Sequence, residues 1–313
     1  MYRNITSNKR KTAFLILFFM VFIAALGFAI GYYLDFRYGI NSTYSILLMV
    51  LAFIIALLVS ISGYYYSDRL VIGMTGAREV KKGDNPRVYY MLEGLSIASG
   101  LPVPKLYIIE DKGMNAFATG RNPSNSIVCL TRGLIENLDD EELKGVIAHE
   151  LSHIKNYDIL LGTIIVILVG MTTIASNVIL RSFFFGGRGR KSSKSSGGGV
   201  IYIIVLVIGL LLIILSPIIA TLIRLAISRR REFLADADGA LATRYPAGLA
   251  SALKKISANS QVRKANNATA HLFIANPFSP NKRGALNALF NTHPPVEERI
   301  NRLEEMSLGI GVK

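Results

Sequence analysis

The chain has a single cysteine, Cys129, in 313 residues, so no disulfide can form within it. A reducing compartment suits such a chain without being required. Cys129 reads as a buried residue of a short strand. Acids are also scarce, 21 against 35 Lys and Arg, for a net charge of +14. That excess would suit nucleic acid, yet the basic residues sit mainly beside apolar runs, where they face anionic headgroups. No nucleic-acid-binding module and no internal repeat is present. What the chain has in abundance is apolar material, 51% of residues with a mean hydropathy of +0.40. An ordinary soluble domain carries far less, so the lipid bilayer is the first expected partner.

Four apolar runs are long enough to be membrane spans. Met1 to Lys11 carries Arg3, Lys9, Arg10 and Lys11 with no acid and precedes the first run, 12–34, which predicts a cytoplasmic amino terminus. A secretory signal has a shorter apolar core of roughly 7–15 residues, so this is an uncleaved anchor. The second run, 43–66, ends in Tyr64, Tyr65 and Tyr66, where aromatic side chains prefer the interface. The third and fourth cover about 159–180 and 200–227. Between them lies a basic, Ser/Gly-rich stretch that cannot build a core and reads as a loop. Four organisational blocks follow: a transmembrane hairpin at 1–66, soluble blocks at 67–158 and 228–313, and a second hydrophobic hairpin at 159–227.

In the first soluble block the spacing of Val88, Met91, Leu92 and Leu95 predicts a helix over Arg87–Ser99, stopped by Gly100, Pro102 and Pro104. Lys105–Glu110 and Ser126–Thr131 read as strands, and with Met114–Gly120 they predict a small sheet with a hairpin. Asp139 and Glu142 form a capping-box signature ahead of a periodic apolar run. That helix carries His149-Glu150-Leu151-Ser152-His153.

Two imidazoles four apart on a helix stand one turn above each other on one face, placed to hold a single zinc ion. Glu150 beside them is free to take a proton from a water whose pKa the metal lowers towards about 7. This is the pattern of metal-assisted hydrolysis; the bland alternative is two packed helical histidines. The helix is expected to continue through Ile154, with the third apolar run only five residues beyond His153, roughly 9 Å along a helix. The metal is thus expected at the membrane surface.

Catalytic zinc takes three protein ligands, so one more must come from elsewhere. The elongated pattern with a third histidine fails, because that position is Ile159 and the expected glycine is Asn156. No glutamate lies between Glu150 and Glu232, and Asp158 is expected too close, one turn along the same helix. Glu232 is the leading candidate, the alternative being a surface glutamate that offsets Arg229, Arg230 and Arg231. Asp236, one turn on, either accepts a hydrogen bond from the second nitrogen of a ligand imidazole or is a plain surface aspartate.

These residues resemble the HtpX-type membrane zinc metalloproteases, relatives of the prenyl-protein (CAAX) endoproteases. The resemblance covers most of the chain. It is carried by Asn115-Ala116-Phe117-Ala118-Thr119-Gly120, the HELSH helix, Arg231-Glu232-Phe233-Leu234-Ala235-Asp236, His271 to Pro277, and His293-Pro294-Pro295 with Glu298-Arg299-Ile300. It implies a mainly α fold with a small β-sheet, a polytopic helical membrane protein with a gluzincin-like catalytic domain at the membrane surface. It implies one zinc per chain on His149, His153 and Glu232, with Glu150 as general base. Asn115, Ala116, Phe117 and Ala118 would lie on an edge strand to which an extended substrate adds backbone hydrogen bonds. His293 would stabilise the oxyanion and Arg299 would orient the site or bind substrate. The plainer readings are a helix cap for His293, an ion pair with the Glu232 helix for Arg299, and a structural role for His271.

The activity implied is endoproteolysis of misfolded or unassembled membrane proteins in quality control, with the active site facing the cytoplasm at the cell membrane. A zinc-stabilised scaffold is the main alternative, but it has no use for Glu150. A prenyl-peptide protease would be expected to have more spans. The loop Arg181–Lys194 carries five basic residues. Either it is translocated across the membrane regardless, or the third and fourth runs form a shallow re-entrant hairpin; both keep the zinc cytoplasmic.

Overall fold

The computed structural model describes residues 2–168, 170, 229–266, 268–278 and 294–309. The fourth apolar run, the Ser/Gly-rich loop and His293 lie outside the described residues. The chain divides into two units, one of Met1–Lys11, Tyr65–Val166 and Ile223–Lys313, the other of Thr12–Tyr64 and Ile167–Leu222.

Two helices long and apolar enough to cross a membrane, α1 (Tyr2–Tyr38) and α2 (Thr43–Thr75), pair off, and their stretches within 12–64 belong to the second unit. Asp35 near the end of α1 caps α2, accepting from Tyr44 N at 2.8 Å, Ser45 N at 2.9 Å and Ser45 Oγ at 2.7 Å. Gly27 and Gly31 let the helices close in, since a Cβ on either would collide with the backbone of Leu48 or Tyr44. The helices outrun the apolar stretches that predict them: α1 starts ten residues earlier, and α2 continues past the tyrosines with a non-helical Tyr66. Polar residues flanking an apolar core keep the helical hydrogen bonds.

The first unit is built on a four-stranded sheet, β1 (Arg78–Glu79), β2 (Lys105–Ile109), β3 (Ala116–Asn122) and β4 (Asn125–Thr131), in the order β1-β2-β4-β3. β2 and β4 are parallel; the β3–β4 hairpin and the β1–β2 pair are antiparallel. The parallel pair buries Leu106, Ile108, Val128 and Leu130. Between β1 and β2, α3 (Pro86–Ala98) starts at an Asn85 cap with Pro86 at its first position and ends at Gly100, whose φ is +69°. The short helix α4 (Arg132–Asn137) follows β4.

Next comes α5 (Asp140–Lys155), which carries the HELSH residues. Its capping box forms as the spacing predicts, with Glu142 N donating to Asp139 Oδ1 at 2.9 Å and Asp139 N to Glu142 Oε2 at 3.0 Å. Leu143, Val146, Ile147, Leu151 and Ile154 are buried, each worth about 1.5–3 kcal/mol. They fix α5 against β3, α7 (Arg229–Thr243) and α8 (Pro246–Ala258).

The helix does not run on into the third apolar run. Asn156 caps it, Tyr157 adopts φ +59°, and α6 (Asp158–Leu168) sets off at 82°. The expected continuous rod, with Asp158 one turn along it, is therefore replaced by a sharp bend. No Gly or Pro announces it; a non-glycine residue in the left-handed region is held there by its surroundings. A 3-10 turn (Ala270–Leu272) and α9 (Val296–Ser307) complete the described part of the unit.

Candidate active site

On α5, His149 and His153 present their rings edge to face, 4.8 Å between centroids, with Nε2 atoms 3.2 Å apart. From α7, Glu232 brings Oε2 to 3.9 Å from His149 Nε2 and Oε1 to 3.6 Å from His153 Nε2. These three donors lie within 4.8 Å of one another. Ligands bonded to one zinc at 2.0–2.1 Å stand about 3.3 Å apart in a tetrahedron, so the three donors would draw together by up to about 1.5 Å to share one ion. Glu232 reaches it because Glu232, Ala235, Asp236, Gly239 and Ala240 form the face of α7 buried against α5.

Each imidazole is held from behind by a carboxylate. His149 Nδ1 lies 2.9 Å from Asp236 Oδ1, and His153 Nδ1 lies 2.9 Å from Asp158 Oδ2. In the neutral ring, Nδ1–H donated to the carboxylate leaves the Nε2 lone pair turned towards the shared point. Asp236 is in turn gripped by Arg299 of α9, Nε to Oδ2 at 2.8 Å and Nη2 to Oδ1 at 2.7 Å. Arg299 also donates from Nη1 to the Ile274 carbonyl at 3.0 Å. It is fully buried, and its nearest approach to a ligand is 3.5 Å from Nη2 to His149.

The two imidazoles differ electrostatically for this reason. Burial lowers the proton affinity of His149, and neighbouring Arg299 counters the help from Asp236. Burial also works against protonated His153, but the Asp158 hydrogen bond and the Glu232 charge outweigh it and lift its pKa to about 9. Asp236, despite its burial, is pulled to about 2 by Arg299 and His149. Burial raises Glu150 to about 7, offset in part by His153. Glu150 thus sits near the value a general base needs, and a cation bound beside it would bring it down further. Burial pushes the Cys129 thiol well up, which leaves it inert.

The donors open onto a cavity of about 50 Å³ whose lining includes Ala118, Glu150, His271 and Ile274. β3 is the end strand of the sheet, but its outer edge is largely covered. Ala116 O accepts Ile274 N at 2.9 Å, the Ala118 N–H donates to Glu150, and Gly120 meets Thr163 Oγ1. Asn115 faces inward, its Nδ2 donating to Ser260 O at 2.8 Å and Ala275 O at 2.9 Å, and Phe117 packs edge-on against Phe273 at 5.1 Å. Of the four residues 115–118 expected on a substrate-binding edge, Ala118 lines the cavity, while the Ala116 carbonyl is taken by Ile274 N. His271 Nε2 lies 3.1 Å from Gly162 O at the rim.

The reading from the residues alone passed over Asp158 as a partner of His153, and over Arg231, whose Nη1 donates to Asp158 Oδ1 at 2.8 Å. The signal was an acid five residues after the second histidine, but its placement depends on the unannounced bend.

A family described as Peptidase family M48 matches residues 82–307. Proteins named Protease HtpX homolog are similar along nearly the whole chain. That of Dictyoglomus turgidum is 44% identical over 308 residues, 97% of this chain and 94% of its own length. That of Tropheryma whipplei (strain Twist) is 45% identical over 307 residues, 98% of each. A solved structure titled "Crystal Structure of S. mikatae Ste24p" covers 97% of this chain and 67% of its own, with a TM-score of 0.48 and 19% identity. The chain therefore belongs to Peptidase family M48 and is a membrane-bound metalloprotease.

Proposed function

We propose that the metal is one zinc ion held by His149 Nε2, His153 Nε2 and a Glu232 carboxylate oxygen, and that the reaction is internal peptide-bond hydrolysis. The observation that supports this reading best is three donors gathered within 4.8 Å of one another, each histidine oriented by its own carboxylate. When bound, zinc supplies Lewis acidity, polarising the scissile carbonyl and acidifying water. Glu150 takes a proton from the attacking water as its oxygen adds to the carbonyl carbon. The same carboxyl returns that proton to the amine nitrogen as the C–N bond breaks. Ala118 N–H keeps the Glu150 carboxylate aimed into the cleft. Arg299 holds Asp236, and so His149, in place. His293 is assigned to the oxyanion on the resemblance alone.

The substrates are unfolded or unassembled membrane proteins, taken as extended segments whose backbone meets the edge of β3 at Ala118. Backbone recognition gives weak side-chain preference and favours unfolded chains. The site faces the cytoplasm at the cell membrane, a reading supported by the basic residues ahead of α1.

Metal removal and return tests this directly. Chelator-treated protein in detergent should lose cleavage of casein and regain it with one equivalent of Zn²⁺, whereas His149→Ala should not regain it. Cleavage that survives chelation, or returns with Mg²⁺ alone, contradicts the zinc assignment. For orientation, a cysteine at exposed Glu141 should resist an impermeant thiol reagent added to intact cells; ready labelling would place the site outside.

A further inference from the structure

The polar contacts behind His153 reach past Asp158 to the second turn of α1. Asp158 Oδ1 accepts from Asn8 Nδ2 at 2.7 Å as well as from Arg231 Nη1 at 2.8 Å, while Oδ2 faces His153 Nδ1 at 2.9 Å. Asn8 also donates to the carbonyl of Asn156 at 2.9 Å, at the end of α5, and its own Oδ1 accepts from Arg231 Nη1 at 2.9 Å. Asn8 is buried, and Lys9 beside it places its ammonium 4.5 Å from the centre of the Tyr157 ring. One amide thus ties three segments together: the start of α1, the bend between α5 and α6, and the first turn of α7. All belong to the same unit.

The chemistry of the cluster is directional. A carboxylate with one oxygen fixed by an amide and a guanidinium has its other oxygen committed to the imidazole, so the ring cannot swing. Arg231 precedes Glu232 on α7, so the same contacts set the register of the third donor against the histidines. Helix α5 ends at Lys155, and the left-handed Tyr157 leaves the Asn156 carbonyl for Asn8 to satisfy.

We infer that Asn8 is a positioning residue of the metal site, acting through Asp158 on His153. Resting on the zinc reading above, this makes the second turn of α1 a support of the metal site, although Asn8 lies outside the residues matched by the family, 82–307.

The test is a double-mutant cycle on zinc affinity, with the full-length chain in detergent and a chelator of known affinity as competitor. Asn8→Ala should weaken zinc binding about threefold to tenfold, the scale of one hydrogen bond. Asp158→Ala should weaken it about 10–100-fold, and Asn8→Ala should add nothing further in that background. Asn8→Asp keeps the volume but has no proton to donate to Asp158, so it should also bind zinc more weakly; it carries the test if alanine disturbs folding. Wild-type affinity in both Asn8 variants, or an Asn8→Ala effect that persists in full on Asp158→Ala, overturns the inference. Glu232→Ala is the separate control: if it too keeps wild-type affinity, the zinc reading has failed.

Discussion

Arg299→Met should harm the protein more than Arg299→Met combined with Asp236→Asn. The guanidinium is fully buried, makes two hydrogen bonds to Asp236 at 2.7 and 2.8 Å and one to Ile274 O at 3.0 Å. Removing it alone strands a buried carboxylate, a cost of about 3–5 kcal/mol, and the Ile274 carbonyl adds about 1 kcal/mol. In the double variant no charge is stranded, so about 1–3 kcal/mol should remain, roughly 3 kcal/mol less than in the single variant. The ligand should respond as well. Burial and Arg299 now hold the proton affinity of His149 low; with Arg299 gone, Asp236 favours the protonated ring. Zinc needs the neutral ring, so the single variant should lose zinc affinity near pH 6 and recover it towards pH 8, more steeply than wild type. Denaturant unfolding of the metal-free proteins in detergent, with zinc competition at each pH, reads both effects. Equal stability in the single and double variants would refute the stranded-charge argument.

Gly239 sits where α7 crosses α5, and a Cβ there would lie 3.0 Å from His149 N and 3.3 Å from its Cα. Gly239→Leu should push the helices apart, destabilise by about 1–3 kcal/mol and weaken zinc binding although it touches no donor atom; unchanged affinity would show that the gap can absorb it. Asn115→Ala removes the side chain that joins β3 to the carbonyls of Ser260 and Ala275. It should cost about 2–3 kcal/mol and expose the 261–277 segment to limited proteolysis, and an unaltered digestion pattern would count against that join. Ala118→Pro deletes the N–H that aims Glu150 but leaves pairing with β4 intact, because that N–H points off the sheet edge. Zinc content should hold while casein cleavage falls about tenfold or more; a wild-type rate would remove Ala118 from the account.

Local rules made α5 readable: its capping box, its apolar spacing and the two histidines on one face all lie within a few residues. Glu232 was reachable too, because the sequence offers no other glutamate between the motif and α7. For Asp236, one turn on, spacing alone allows either a surface or a ligand-orienting place, because its 2.9 Å contact with His149 depends on how α7 docks. Features built from distant segments were not legible. The bend at Tyr157 has no glycine or proline to mark it, so spacing alone puts Asp158 on α5 although it starts the next helix. The cover over β3 depends on Ile274 finding Ala116, more than 150 residues away in sequence. β1 is two exposed residues, Arg78 and Glu79, which carry no alternation at all.

The central claim is that Glu150 turns a metal site into a hydrolase. Casein cleavage by wild type and Glu150→Gln, each with its zinc content measured, tests it most directly. The account predicts that both hold one zinc and remain folded, and that the variant is slower by about 10²–10⁴-fold. A fully loaded, folded Glu150→Gln that cleaves at the wild-type rate would contradict it.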